Sequence, residues 1–284
     1  MDAGPFAVAE GMTLAALTLA PAWTTPGAVL LCVLLSFATM GLGCSIGVHR
    51  LLIHRSFSTA PGMERALAYL AALAGAGGPI ESVRMHELRD WSQRQAACHD
   101  LSAHRAWFPR DFWWQLHCRL ELTRPPCFQP EARLVGDPFL RWLDATWMWQ
   151  QLPLALCLAW LGGMPWVVWG VPVRVAVSQA MIWLTAHLTH RRGPRGWVVD
   201  GMAVQGHDRP ALALLTFGEA WHDNHHAWPG SARFGLEPGQ FDPGWWLLLA
   251  MRRLRLVWDL KQPADLQPRA GLRRVSREPQ RSSQ

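Results

Sequence analysis

Lysine and tyrosine are almost absent from this 284-residue chain: Lys261 and Tyr69 are the only examples of each. Charged residues reach only 17% of the composition, below the roughly 25% of ordinary soluble domains. The six cysteines (Cys32, Cys44, Cys98, Cys118, Cys127, Cys157) include no CxxC pair and form no dense framework. That pattern argues against a disulfide-built secreted protein and against a cysteine-held zinc. Cys32 and Cys157 lie in apolar runs and read as small core residues. No haem-binding cytochrome domain, flavin motif or GxGxxG fingerprint is visible, so any electrons the chain uses come from another protein.

Charge is missing altogether from two long stretches. Residues 11–48 carry none, which is too long for one membrane crossing of about 20 residues. Thr24-Thr25-Pro26-Gly27 breaks the run near its middle. The expectation is a membrane hairpin with spans near 6–23 and 28–47. Asp2 and Glu10 beside the first run, with no basic start, do not suit a cleaved signal peptide. Residues 145–173 are also uncharged, and only Arg174 intervenes before His187. With a turn at Gly162-Gly163-Met164-Pro165, they predict a second hairpin with spans near 146–162 and 168–187. Trp160, Trp166 and Trp169 around that turn suit a membrane interface. A shorter uncharged stretch, 66–80, predicts a helix that lies along the membrane, dips into it or packs inside the protein; a short tilted span is the alternative. From residue 263 on the chain is rich in Pro, Arg, Ser and Gln, which predicts a disordered tail after a domain of residues 1–262.

Two hairpins return every histidine cluster to one side of the membrane. Twelve arginines lie between residues 50 and 141, and none lies in the far-side turns. The excess of positive charge makes the histidine side cytoplasmic. The net charge of +6 is then a matter of topology and anionic lipid rather than of nucleic acid. The expected architecture is all-α: a four-helix, two-hairpin membrane bundle under a cytosolic helical cap.

That cap is histidine-rich. The run Gly218-Glu219-Ala220-Trp221-His222-Asp223-Asn224-His225-His226 sets three imidazoles at i, i+3 and i+4, one helix face from which the rings could converge on a single point. Three surface histidines are the plain alternative. His49 and His54 stand five apart, a spacing poorly aligned on a regular helix, and His99 and His104 repeat it. His86 and Asp90 stand four apart on one predicted helix face. With His190, these imidazoles outnumber the ligands of one metal and suffice for two. Bis-histidine haem would place histidines within the apolar runs, whereas here they follow the ends. A histidine-held pair of irons that activates O2 beside dissolved lipid chains suits this placement better. His117 reads as interfacial or packed, His207 as solvent-facing, and His187 as either a support for a ligand or a buried structural group.

The motifs also resemble a family. His49-Arg-Leu-Leu-Ile-His54-Arg-Ser-Phe is similar to the first histidine box of the membrane fatty acid desaturases of the acyl-CoA delta-9 type. Gly218 to Pro229 resembles their third box, Phe241-Asp242-Pro243-Gly244-Trp245 the segment that follows it, and His190 with Gly193 the extra histidine before it. The resemblance covers roughly residues 28–260. It implies a four-span enzyme with two Fe ions, O2 as co-substrate, and a fatty acyl substrate carried on CoA, an acyl carrier or a lipid. It also implies an external donor such as ferredoxin or a cytochrome. The metal set would be His49, His54, His86, His190, His222, His225 and His226, with Glu219 and Asn224 supporting it. An arginine-rich face could dock an acidic carrier protein or grip a carrier's phosphates. The bacterial inner membrane would be its location.

The second box departs from the family pattern of a histidine, two spacers and paired histidines. Here it reads His86-Glu87-Leu88-Arg89-Asp90. Arginine stays protonated and is no ligand; aspartate can be one. The asparagine that the family places four residues before the extra histidine is Ala186 here. Three readings follow. Asp90 and one of His99 or His104 replace the missing imidazoles; or the site runs hydroxylation or acetylenic-bond formation; or one metal is lost and the chain is a non-catalytic lipid-binding relative.

Overall fold

The computed structural model describes residues 3–118, 122, 126 and 131–275, and these are mostly helical. Helix α1 (Ala3–Leu19) ends in a 3-10 turn, and α2 (Pro26–Ser36) starts under a Thr25 side-chain cap, with Pro26 in its first turn. Helix α2 continues without a break as a π-wound helix over Phe37–Ile53. Then come α3 (Pro61–Leu73), α4 (Pro79–Arg94), α5 (Asp100–Ala103), α6 (Phe108–His117), α7 (Ala132–Gly136) and α8 (Pro138–Thr146). Helices α9 (Gln151–Val168) and α10 (Arg174–Thr189) follow, joined by a π-helical turn. The short α11 (His222–Ala227) and α12 (Pro243–Arg253) complete the helices. Two small antiparallel ladders pair β1 (Ser58–Thr59) with β3 (Val257–Trp258), and β2 (Trp197–Val199) with β4 (Leu272–Arg274).

Among the described residues, two helical stretches are long and apolar enough to cross a membrane, Pro26–Ile53 and Pro138–Thr189. The second is interrupted at Gly163, whose φ of 66° and ψ of −161° leave the helical region. The expected turn at 162–165 is therefore a real break, and the tip it forms reaches the other one: Trp166 lies against Gly27. The expected end of the second span at 47 falls short, because the helix runs on through His49 to Ile53. The segment at 66–80 also differs. Helix α3 starts at Pro61 and ends at Leu73, where Gly75 and Gly77 take left-handed φ values of 81° and 137° before α4 begins.

Helix α3 sits tight against the π-wound helix because that helix has no side chain in the way. A Cβ on Gly43 would strike the Ala71 backbone, and one on Gly47 would lie 2.8 Å from Leu67 Cβ. The exposed carbonyls at the end of α3 are met by buried side chains. Arg174, fully buried, donates from Nη1 to Leu73 O (2.6 Å) and from Nη2 to Gln151 Oε1 (2.8 Å). Gln151 donates to the same Leu73 carbonyl (2.8 Å), and Gln179 to Gly75 O (2.8 Å). A cation at a helix C-terminus satisfies orphan carbonyls and the dipole together. The one charge in the second apolar stretch is thus the anchor of α3.

The tail differs most from expectation. Residues 263–275 are folded back: a 3-10 turn covers Pro263–Asp265, and β4 pairs Trp197 with Arg274 through Val199 with Leu272. Backbone pairing with β2 supplies the order that composition did not suggest. Residues 276–284 of that expected tail lie outside the described residues.

Candidate metal centre

The five-residue spacing of His49 and His54 is resolved by the helix that carries it. In a π-helix the backbone bonds run i to i+5, and His54 N donates to His49 O at 3.1 Å. Residues five apart therefore stack, and the two Nε2 atoms lie 3.2 Å apart. His86 on α4 and His225 on α11 close a group of four imidazoles whose ligand atoms all lie within 4.8 Å of one another. His190, at the end of α10, forms a second group with His222 and His226. There the His222 Nε2 lies 3.1 Å from both His190 Nε2 and His226 Nε2.

The third-box histidines do not converge on one point. Successive helical residues are about 100° apart, so i+3 and i+4 fall on opposite sides of i. His225 turns to the first group, while His222 and His226 turn to the second. One short helix thereby joins the two groups.

Acceptors beside the rings fix which nitrogen carries the proton. His49 Nδ1 donates to Glu219 Oε2 at 2.5 Å, and Glu219 also accepts from Ser45 Oγ at 2.5 Å. His190 Nδ1 donates to Ala186 O at 2.7 Å. Both rings then present a lone pair at Nε2. Burial pushes the imidazoles down, to about 4 for His86 and about 3 for His222. His54, His190, His225 and His226 are likewise well below the ordinary histidine value, burial first and neighbouring imidazoles second. All are neutral, the ligating form, at neutral pH. Burial works against ionising Glu219, but His49 and Arg50 outweigh it and hold its carboxyl low. A nitrogen-only donor set with Nε2 lone pairs facing each other at 3.1–3.2 Å fits a metal ion in each group better than hydrogen bonds. A neutral imidazole has one proton, and on His49 and His190 it is committed elsewhere.

The other expected residues are placed differently. Asp90 is in neither group; its Oδ2 lies 3.9 Å from Arg269 Nη2, beside a cleft that also touches His225 and His226. His99 caps α5, accepting from Leu101 N at 3.2 Å, and is in neither group. His104 is buried and hydrogen-bonded to Asp111, with which it and His187 form a third cluster. Asn224 donates to Phe234 O and Gln240 Oε1, both at 2.8 Å, and so ties α11 to the following loop. His117 stacks on Trp113 at 3.8 Å, and His207 is half-buried with Nδ1 3.0 Å from Gly193 O.

Arg50, Asp242 and Asp111 escaped the sequence reading. Arg50 is fully buried and bonds Asp242 (3.1 Å), Phe217 O (2.9 Å) and Ala232 O (3.2 Å), with its guanidinium 4.1 Å over the Phe234 ring. Asp242 also caps α12 through Trp245 N (2.9 Å) and receives Phe234 N (2.7 Å). Gly218, at φ 89°, packs where any side chain would strike Asp242. The Phe241-Asp242-Pro243-Gly244 segment was the available signal: its carboxylate locks the first histidine helix to the third box.

No family model matches the chain. Individual relatives do. The chain is 34% identical over 248 residues to the sn-1 stearoyl-lipid 9-desaturase of Anabaena variabilis, covering 84% of this chain and 85% of that protein. It is 33% identical over 273 residues to the chloroplastic palmitoyl-monogalactosyldiacylglycerol delta-7 desaturase of Arabidopsis thaliana, covering 94% and 71%. An acyl-CoA C20 Delta5-desaturase of Anemone leveillei is 29% identical over 227 residues, covering 80% and 72%. The chain belongs to the fatty acid desaturase family, and it is an oxidoreductase of lipid metabolism whose histidine groups are compatible with a metal site.

Proposed function

We propose that this desaturase carries two irons, one in each histidine group, and introduces a double bond into an acyl chain of a membrane lipid. The observation that carries the reading is the pair of adjoining imidazole groups, bridged by α11, with nitrogen the only donor in either. When bound, two irons supply O2 activation strong enough to break unactivated C–H bonds. The balance is two hydrogens removed from neighbouring carbons, with O2, two electrons and two protons giving two waters. The chain's own residues bind and orient. Glu219 and Ala186 O fix the tautomers of His49 and His190, and the Arg50–Asp242 pair holds the first helix to the third box.

A four-span arrangement supports delivery of the substrate. Outward-facing Leu14, Leu17, Leu30, Val33, Leu156 and Trp160 are all exposed, a surface suited to lipid rather than to water. The histidine groups lie at the C-terminal ends of the Pro26–Ile53 and α10 helices, at the end away from the Gly27–Trp166 contact. On this reading, that end faces the cytoplasm of a bacterial inner membrane, and an arginine-rich surface there receives a ferredoxin or a small cytochrome. The relatives named for lipid-linked substrates favour a lipid-linked chain over acyl-CoA.

The test is a membrane preparation holding the protein, supplied with reduced ferredoxin and a saturated acyl chain on either glycerolipid or CoA. A double bond should form on the lipid-linked chain in air and not under argon. Hydroxylated product, or no product from either carrier in air, contradicts the reading.

A further inference from the structure

The two histidine groups are unequal: four imidazoles surround the first, three the second. The residue of the second box that should have evened them is Arg89. Its guanidinium donates to Gln115 Oε1 at 3.3 Å and feels the charge of Asp111 and Asp90. Beside it lies a histidine that nothing in the chain uses fully. His104 is 1% exposed, and its ring stacks on that of His190 at 5.3 Å and 21°. Its Nδ1 bonds Asp111 Oδ2 at 3.0 Å. A carboxylate can only accept there, so the proton is on Nδ1 and Nε2 bears a lone pair. That Nε2 is buried and has no partner among the described residues.

An orphaned buried acceptor is costly and calls for an explanation. The carbonyl partner of His190 and the carboxylate partner of His49 do to those rings what Asp111 does to His104: the far nitrogen is left free and aimed away from its support, as with metal-binding histidines.

We propose that His104, through Nε2 and held by Asp111, is the fourth protein ligand of the His190–His222–His226 metal position, replacing the imidazole lost at Arg89. The proposal rests on the two-metal reading above. His187 is the competitor, and it is already used: Nδ1 is bonded to Asp111 Oδ2 at 2.7 Å and Nε2 faces Arg191 Nη1 at 3.3 Å. Nor is the His104–Asp111–His187 cluster a third metal position. Asp111 Oδ2 receives both Nδ1–H groups and the Trp183 Nε1–H (3.0 Å), and those protons occupy the place of a cation. Asp111 is a positioning residue, fully buried, and it comes from the Phe-Pro-Arg-Asp-Phe-Trp-Trp segment of α6.

The experiment loads the purified full-length protein with cobalt(II) and counts metal per chain while titrating affinity. The unaltered chain should hold two. His104→Gly should hold one tightly and bind the second at least about 10-fold more weakly, and added imidazole should restore it. His226→Ala should also lose one, but imidazole is not needed for the comparison. Asp111→Asn should weaken the second metal alone. The retained first metal reports that the variants fold. A His104→Gly chain that keeps two metals within a few-fold of normal affinity, while His226→Ala drops to one, overturns the proposal and leaves the two-metal reading intact. An unaltered chain that never exceeds one metal overturns both.

Discussion

His49 and His54 face each other across a single π-helical turn, Nε2 to Nε2 at 3.2 Å, and the same helix is pressed against α3 through Gly43 and Gly47. The winding that brings residues five apart together and the close approach to α3 fall on the same stretch of helix. Gly47→Leu tests the link. The added side chain collides with Leu67, and overpacking of this kind costs about 1–3 kcal/mol. The variant should melt earlier and lose metal from the first group, as read by thermal unfolding and by metal content. Full metal occupancy in a folded Gly47→Leu chain would separate the winding from the site.

Glu219 is the carboxylate behind His49, and its charge is maintained despite burial by His49 and Arg50. Glu219→Gln keeps the shape and removes the charge. Metal affinity of the first group should fall by roughly 10–100-fold, with the second group unaffected. Titration with cobalt(II) checks it; equal loss from both groups would mean that Glu219 acts on the fold instead.

Arg50 and Asp242 form a buried pair that joins the two ends of the desaturase sequence. Arg50→Met leaves Asp242 without its cation and takes the guanidinium donor from Ala232 O and from Phe217 O, the second of which keeps the Gly244 N–H. Breaking one side of a buried pair costs about 3–5 kcal/mol. The expected outcome is little folded protein in detergent, measured by size-exclusion recovery, whereas Arg65→Met, at an exposed pair with Asp137, should recover normally.

The histidines that gather were legible because imidazole clusters stand out by residue type: His49, His54, His86, His190, His222, His225 and His226 all fall in the two groups. Their partition was not legible. It depends on how α11 is turned, which packing decides. Nor could the spacing of His49 and His54 be understood from a regular helix, since it is the π-winding of Phe37–Ile53 that brings them together. Asp111 was hidden in an aromatic segment that reads as an interface, and Arg174 looked like an interruption until the end of α3 was seen against it. The order of residues 263–275 comes from a strand partner about 75 residues away, Trp197–Val199, and local composition has no access to it.

Asp90 and His99 provide a negative prediction. Both lie outside the two groups and have other partners, Arg269 for Asp90 and the Leu101 N–H for His99 Nδ1, so Asp90→Ala and His99→Ala should retain both metals. The second should lose only its cap on α5, about 1 kcal/mol. Metal analysis of the two variants checks this, and the loss of one metal from Asp90→Ala would return the carboxylate to the site.

The most direct measurement is the acyl composition of lipids from a host that lacks desaturases and expresses this chain with a ferredoxin system. A new monounsaturated acyl chain should appear. It should vanish in both His225→Ala and His226→Ala, one ligand from each group. Unchanged lipids with the donor present, or a double bond that persists in both variants, would contradict a desaturase that works through two histidine-held metals.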